Sequence, residues 1–364
     1  MPARIGLICR KIRHAHSSPE THRDTMWHAR MPDLARGACV ATDARMDSRS
    51  PSIVTPTRSL VIPSSSLSSA ALADDTPGSI FFIGTATVLI RYRGFTILTD
   101  PNFLHRGDTV HLGYGLRSQR RTEPAIGFEE LPDVDLVLLS HMHEDHFDRL
   151  VEKRLDRRMP IVSTPHSTLV LKRKGFLSTH ALSTWDRFEV RKGASRMTIT
   201  AMPAKHGPSV VSSLLPPVMG SMLELDRGDG TTFRLYVSGD TMIHEQLREV
   251  PKRYPDIDLA LLHLGGTRVL GILVTMDAKE GLEALRLIDP KEAIPIHYDD
   301  YTVFKSPLSD FQEAVEAAGL SSRVTYMERG DTHQFGAITA ADTVRHMVEL
   351  DRPPSSGPQP TSSR

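Results

Sequence analysis

The chain has 364 residues, room for one large domain or two small ones. Its 44 basic and 44 acidic residues cancel, so no global field draws it to nucleic acid or to an anionic membrane, and no apolar run reaches the roughly 18 residues of a transmembrane helix. The only two cysteines, Cys9 and Cys39, lie near the N-terminus and cannot staple a core; a reducing, cytoplasmic compartment is expected, with a secreted or organellar one left open.

Residues 1–77 are rich in Arg, Ser, His and Pro without a sustained period and read as a disordered N-terminal extension. Three origins compete: a low-order tail, an Arg- and Ser-rich transit segment, or a translated upstream region with the true start at Met26 or Met46. The first and third are favoured. The segment SLVIPSSSLSSAALADD ends in small residues, but Ser and Pro break its apolar part, which makes it a weak secretory signal. The runs SIFFIG, ATVLIRY and FTILTD then read as consecutive strands, with a turn at Arg93-Gly94. VDLVLLS is a β-branched-rich run without helical period, hence a buried strand, and a helix starts at about Asp148. PIVSTP and HSTLVLKRKG suggest a strand and a helix; MTITAMPA, GSMLELDR and FRLYVSGD return as strands. HEQLREVPKRY reads as a helix and DLALLHLGG as a buried strand. Asp277 and Glu280 form the signature of a capping box, before a helix whose Leu282, Leu285 and Leu287 give an apolar face. Ser306, with Pro307 at the first helical position, opens the last long helix, DFQEAVEAAG. The folded domain is placed at residues 78–350, and 351–364 read as a disordered tail. Periodicity alone supports an α/β or α+β domain with many strands.

The chemistry concentrates in SHMHEDHFD, directly after VDLVLLS. Read as H-x-H-x-D-H, it supplies His141, His143, Asp145 and His146 within six positions, at the carboxyl end of a strand. A chance match to such a pattern is on the order of 10^-3. Converging imidazoles repel once charged unless a cation organises them. Further donors stand in matching strand-end contexts: His206 in MTITAMPAKHG, Asp240 in FRLYVSGDT and His297 in EAIPIHYDD. Imidazole with carboxylate suits zinc, manganese or iron, and two metals about 3.5–4 Å apart can share a carboxylate and a hydroxide.

The ordered series Asp100, His141-x-His143-x-Asp145-His146, His206, Asp240 and His297 resembles the metallo-β-lactamase-fold hydrolases over roughly residues 78 to 338. The resemblance implies an α+β fold, a four-layer αββα sandwich. The opening strands IGTATVLIRYRGFTILTDP, the stretch TMDAKEGLEALRLIDPKEAIPIHY and the short Asp240-to-His297 spacing look closest to the branch of ascorbate-phosphate lactonase-like and N-acylphosphatidylethanolamine phospholipase D-like proteins. That branch implies two divalent ions, zinc first, with manganese or iron as alternatives. His141, His143 and His206 would hold the first ion and Asp145, His146 and His297 the second, with Asp240 bridging. The hydroxide between the ions would be the nucleophile, and Asp145 would orient it or carry a proton to the leaving group. Asp100 would fix a ligand histidine from behind, a role that a turn-starting Asp before Pro101 rivals on sequence alone.

Departures narrow the reading. Relatives in this branch carry His or Asn where Thr85 stands, and the phospholipase group's Gln-His pair is replaced in Val274, Thr275, Met276, Asp277. His143, where flavodiiron oxygen reductases carry Glu, argues for hydrolysis over redox chemistry, and Asp240 stands where zinc β-lactamases carry Cys. The expected function is a dinuclear metal-dependent hydrolase of a phosphodiester or phospholipid-like ester, the substrate being small or lipid-like. The alternative is a lactonase or thioesterase on the same site. A nuclease is disfavoured because no insert fits between Asp240 and His297, and a non-enzymatic binding protein because no ligand is missing. Whether copies assemble into a homo-oligomer stays open.

Weaker candidates complete the reading. Tyr298 and His263 are candidate substrate contacts, each rivalled by a packing role. Phe103, Leu104 and Leu112 are candidates for an apolar pocket wall. Arg106, Arg117, Arg120 and Arg121 form a basic run that reads first as a solvated face and second as phosphate recognition. His166, His180, His244 and His333 are expected at the surface or in caps.

Overall fold

The computed structural model describes residues 58–63, 78–113, 115–208, 212, 214–227 and 230–336. Most of the 1–77 extension, the end of the 78–350 domain and the 351–364 tail therefore lie outside the described residues. In chain order the strands are β1 (Arg58–Ile62), β2 (Gly78–Gly84), β3 (Thr87–Tyr92), β4 (Phe95–Thr99), β5 (Thr109–His111), β6 (Arg117–Gln119), β7 (Leu136–Leu138), β8 (Ile161–Ser163) and β9 (Thr179–Ala181). They continue as β10 (Arg187–Lys192), β11 (Ser195–Met202), β12 (Gly220–Asp226), β13 (Thr232–Val237), β14 (Leu259–His263), β15 (Arg268–Val269), β16 (Ile272–Leu273), β17 (Glu292–Ile296) and β18 (Thr332–Phe335). The helices are α1 (Arg149–Arg154), α2 (Pro165–Arg173), α3 (Glu249–Arg253), α4 (Ala278–Ile288) and α5 (Leu308–Ala317).

Two seven-stranded mixed sheets result. The first runs β18-β2-β3-β4-β7-β8-β9 and the second β1-β10-β11-β12-β13-β14-β17. Strand pleat sorts their side chains into layers. Ile80, Phe82, Val88 and Ile90 point from the first sheet into one core shared with Met197, Ile199, Leu223 and Leu235 of the second. The alternate residues Ile83, Leu89, Leu98 and Val137 meet Val151, Leu155 and Leu171 of the α1–α2 side. Ala284, Leu285 and Ile288 of α4 and Phe311 and Val315 of α5 are buried in the core that includes the second sheet. This is the expected layering of two sheets with helices outside.

Local chemistry explains most boundaries. Arg93 and Gly94, both at positive φ, close the β3–β4 hairpin. Asp148 caps α1 by accepting from the backbone N–H of Leu150 and Val151. Asp277 caps α4 through the N–H of Glu280, but Glu280 accepts from the Ile243 N–H at 3.2 Å, so only half of the expected capping box forms. The buried stripe of α4 is Gly281, Ala284, Leu285 and Ile288, which leaves Leu282 and Leu287 at its flanks.

Two expectations are corrected. Arg58–Ile62, inside the stretch read as disordered, forms β1, an edge strand parallel to β10. Pro307 is the N-cap of α5, not its first helical residue, and Ser306 Oγ accepts from the Ala278 N–H at 3.0 Å, tying the starts of α4 and α5 together. Among the described residues no helix is long and apolar enough to cross a membrane.

Candidate metal centre

Six strand ends meet at the carboxyl edge of the two sheets. The first sheet delivers Asp100 after β4 and the turn His141–His146 after β7; the second delivers His206 after β11, Asp240 after β13, His263 as the last residue of β14 and His297 after β17. Asp100 and His297 sit at φ +34° and +61°, left-handed conformations that non-glycine residues hold only where the surroundings impose them. At His297 the backbone N–H donates to the Thr85 carbonyl at 2.6 Å, and Thr85, itself at φ +53°, is held by the buried Asp300 carboxylate through both its N–H and its hydroxyl.

The donors form overlapping groups whose ligand atoms lie within 4.8 Å of one another: His141, His143 and His206; Asp145, His146 and His297; and Asp240 with His141 and His146. Asp240 thus stands between the two triads. Its Oδ2 lies 3.3 Å from His146 Nε2 and 4.0 Å from His206 Nε2, and Thr275 Oγ1 donates to it at 3.2 Å. His141 Nε2 and His143 Nδ1 are 2.9 Å apart, and Asp145 Oδ2 is 3.6 Å from His297 Nε2. Separations near 3.3 Å are those of neighbouring ligands about 2.0–2.1 Å from one small ion.

Four of the five histidine rings in the two triads are anchored from behind, His143 being the exception. His206 Nδ1 meets the Val274 carbonyl at 2.7 Å, His297 Nδ1 the Leu264 carbonyl at 3.1 Å, and His141 Nδ1 the Ser140 hydroxyl at 3.0 Å. His146 Nδ1 lies 3.4 Å from Asp100 Oδ2. Such contacts fix tautomer and ring orientation in metal sites. On the other side, Asp145 Oδ1, His146 Nε2, Asp240 Oδ1 and His297 Nε2 are buried without a hydrogen-bond partner. Buried polar atoms are rarely left so, and a bound cation would satisfy them. The residues present therefore fit metal ions.

Electrostatics separates the triads. Burial, reinforced by neighbouring imidazoles, holds His141 well below the ordinary histidine range and His143 down to about 3. His206 is lowered as well, chiefly by burial. At His146 and His297 burial acts in the same direction, but the charge of Asp240, with Asp145 and for His146 also Asp100, outweighs it and raises both. Asp240 is held well below the carboxylate range because the nearby imidazoles, His297 and His146 foremost, overcome its burial. The first triad is thus a set of neutral nitrogen donors, while the second carries protons that a cation displaces.

A narrow cleft opens onto His143, Asp145, His206 and Asp240. Its walls are Leu112, Leu116, Leu215, Val269 and Val274, with Thr267, and among the described residues no Lys or Arg lines it. Leu112 is where the sequence places a wall residue; Phe103 and Leu104 instead belong to buried core clusters. Arg106, Arg117 and Arg121 are exposed. Arg120 is 1% exposed, with its guanidinium donating to Asn102 Oδ1 and to the Thr122 carbonyl. Both candidate substrate contacts are corrected. The Tyr298 hydroxyl donates to the Met327 carbonyl at 2.9 Å while its ring packs near Phe82. His263 is fully buried behind the site, against Asp100 and Ser238.

Supports missed in the sequence stand around the ligand turn. Asn102 Nδ2 donates to the Glu144 carbonyl at 3.0 Å, and Asp148 accepts from the N–H groups of Phe103 and Leu104 as well as those of α1. An Asp two residues past the last histidine, ahead of a helical run, was the available signal for Asp148.

A family model described as the beta-lactamase superfamily domain matches residues 96–298, more than half of the chain. The chain belongs to the beta-lactamase superfamily. Among similar members, a UPF0173 metal-dependent hydrolase of Carboxydothermus hydrogenoformans is 28% identical over 249 residues, covering 67% of this chain and 95% of that one. Another, from Thermococcus onnurineus, is 29% identical over 189 residues, covering 51% and 76%. The beta-lactamase superfamily fold is also seen in solved structures. A possible metal-dependent hydrolase from Veillonella parvula superposes with TM-score 0.62 at 18% identity, covering 71% of this chain and all of that one. An isothiocyanate hydrolase from Delia radicum gut bacteria gives 0.61 at 19%, with the same coverage.

Proposed function

We propose that this protein, a metal-dependent hydrolase of the beta-lactamase superfamily, holds two divalent ions and cleaves a carbonyl ester, lactone or thioester that carries an apolar group. The observation that carries the substrate class is the cleft: five Leu and Val side chains lead down to the donors, and among the described residues no cation lines the way. The case for a phosphodiester leaned on the arginine run, and none of its members reaches the cleft.

His141, His143 and His206 would hold one ion, Asp145, His146 and His297 the other, and Asp240 would bridge them. Two such ions supply an acidified water as nucleophile and Lewis-acid stabilisation of the oxyanion. The chain's own residues do the rest. The apolar walls orient the substrate and exclude bulk water. Asp145, which lines the cleft with Oδ1 free of partners, is placed to carry a proton to the leaving group. Thr275 and the rear carbonyls keep Asp240 and the rings from turning.

A phosphodiester or phospholipid-like ester is the second reading. Two dications against the two carboxylates of Asp145 and Asp240 leave the centre positive, which suits a monoanion. The test is turnover of aryl alkanoates, alkyl lactones, acyl thioesters and an aryl phosphodiester by protein reconstituted with zinc or manganese. The expected result is a kcat/KM at least tenfold higher on a carbonyl substrate than on the phosphodiester. The reverse order establishes the second reading, and no turnover of either with two ions bound sinks both.

A further inference from the structure

The second sheet contributes one buried imidazole that the ligand assignment does not use. β14 runs Leu-Ala-Leu-Leu-His, and its terminal His263 is fully buried beside the centre. His263 Nε2 lies 3.5 Å from Asp100 Oδ2, the same oxygen that lies 3.4 Å from His146 Nδ1. The two rings are nearly parallel, 8° apart, with centroids at 6.1 Å. At its far side His263 Nδ1 lies 3.2 Å from Ser238 Oγ. Asp100 Oδ1 accepts the Ser140 N–H at 2.7 Å.

These contacts fix direction. A nitrogen lone pair facing a carboxylate is repulsive, so His263 presents Nε2–H to Asp100 and keeps its lone pair on Nδ1. Ser238 Oγ accepts the His263 backbone N–H at 2.9 Å, and its single hydroxyl proton is shared between the Gly239 carbonyl at 3.0 Å and His263 Nδ1 at 3.2 Å. Two ring N–H groups thus converge on Asp100 Oδ2, one from His263 and one from His146, and the Ser238 hydroxyl borders the far side of His263. Buried polar groups carry a desolvation cost that these two charge-assisted contacts, at 3.5 and 3.4 Å, offset in part. Without His263, Asp100 Oδ2 would be free to rotate off His146, whose other nitrogen faces Asp240 at 3.3 Å.

We infer that His263 is a positioning residue for the second metal ion: it locks Asp100 onto His146 and so aims His146 Nε2 into the site. The inference rests on the two-ion reading above. Gln places an amide nitrogen about where Nε2 stands, whereas Phe keeps the ring and removes the donor. His263→Phe is therefore expected to keep the first ion at wild-type affinity and to bind the second about 10- to 100-fold more weakly, the usual effect of removing an outer partner. His263→Gln recovers most of that loss, and Ser238→Ala shows a smaller loss of the same kind.

The readouts are metal stoichiometry and stepwise affinity by titration with zinc, together with the visible spectrum of the cobalt-substituted protein, in which only the second ion's bands should change. Wild-type affinity for both ions in His263→Phe overturns the inference, as does a Gln variant as weak as Phe. Should His263→Phe not fold, Ser238→Ala carries the test with the ring in place, and an unchanged second affinity overturns it. A wild-type protein that holds only one ion overturns the two-ion reading and the inference together; two ions with unaffected variants overturn the inference alone.

Discussion

Stripping the metal with a chelator tests the electrostatic division of the centre. In the metal-free protein His146 and His297 are raised above the ordinary histidine range by the carboxylates around them, while His141, His143 and His206 are lowered. Loading both ions at pH 7 should therefore release at least about one proton, from the second triad together with any metal-bound water that ionises. Titration calorimetry in two buffers of different ionisation enthalpy counts the protons released, and a heat that does not depend on buffer refutes the reasoning. Free metal at about a hundredfold over Kd adds about 2.7 kcal/mol per site, so two sites give about 5 kcal/mol, or roughly 10–20 °C in Tm for a domain of this size. A chelated protein that melts within about 2 °C of the loaded one refutes the fit of ions to these donors. The pH dependence of the metal-free form follows from the same directions. Raised His146 and His297 give stability that is full below the unfolded pKa of about 6.5 and is lost as pH rises through their folded values. His143, lowered to about 3, acts in reverse: the unfolded chain binds the proton first, so stability falls as pH drops from about 6.5 to 3, by on the order of 5 kcal/mol in all. The metal-free protein should thus be most stable in mildly acidic to neutral solution, and metal should widen its range most on the alkaline side.

Further predictions follow from single contacts. Asp240→Asn removes the anion between the triads, and leaving buried cations uncompensated at about 3–5 kcal/mol should weaken binding by roughly two to four orders of magnitude, read by metal titration and by loss of turnover. A Cβ on Gly239, at φ +62°, would stand 2.6 Å from the Met219 carbonyl oxygen, so Gly239→Ala should cost about 2 kcal/mol or more in denaturant unfolding and shift the adjacent Asp240. Asp148→Ala leaves four backbone N–H groups without their acceptor and should cost about 3 kcal/mol or more, measured the same way. Val274→Asp puts a charge in the cleft wall and should lower kcat/KM for long-chain alkanoates by about 10- to 200-fold, with acetate esters affected less. Equal losses across chain lengths would show that the wall does not hold the substrate's apolar part.

What could be read from the sequence was what is local. The cluster from His141 to His146 lies within one turn, and His206, Asp240 and His297 each end an apolar run, so strand context alone points them at one edge. Tyr298 could not be read this way. The left-handed backbone at His297 breaks the simple alternation of side chains, and the tyrosine turns into the core between the sheets. Arg120 was misjudged for a different reason. The alternation Arg117 exposed, Ser118 buried, Gln119 exposed, Arg120 buried is the period of β6 carried one residue further, and a reading by charge alone overlooks it. β1 and the N-cap role of Pro307 depend on partners far along the chain, β10 for one and the start of α4 for the other, which no local pattern encodes.

Each proposed ion would draw ligands from both sheets: His141 and His143 with His206, and Asp145 and His146 with His297. Neither half of the chain is a chelator by itself. A nascent chain that has formed only β2–β4 and β7–β9 holds an open row of histidines with no opposing donor, and it would gain a closed cage only when β11, β13, β14 and β17 have docked. Metal capture would therefore be a late event that reports completed assembly, and once made it would suture the two sheets so that neither could peel away without first surrendering metal.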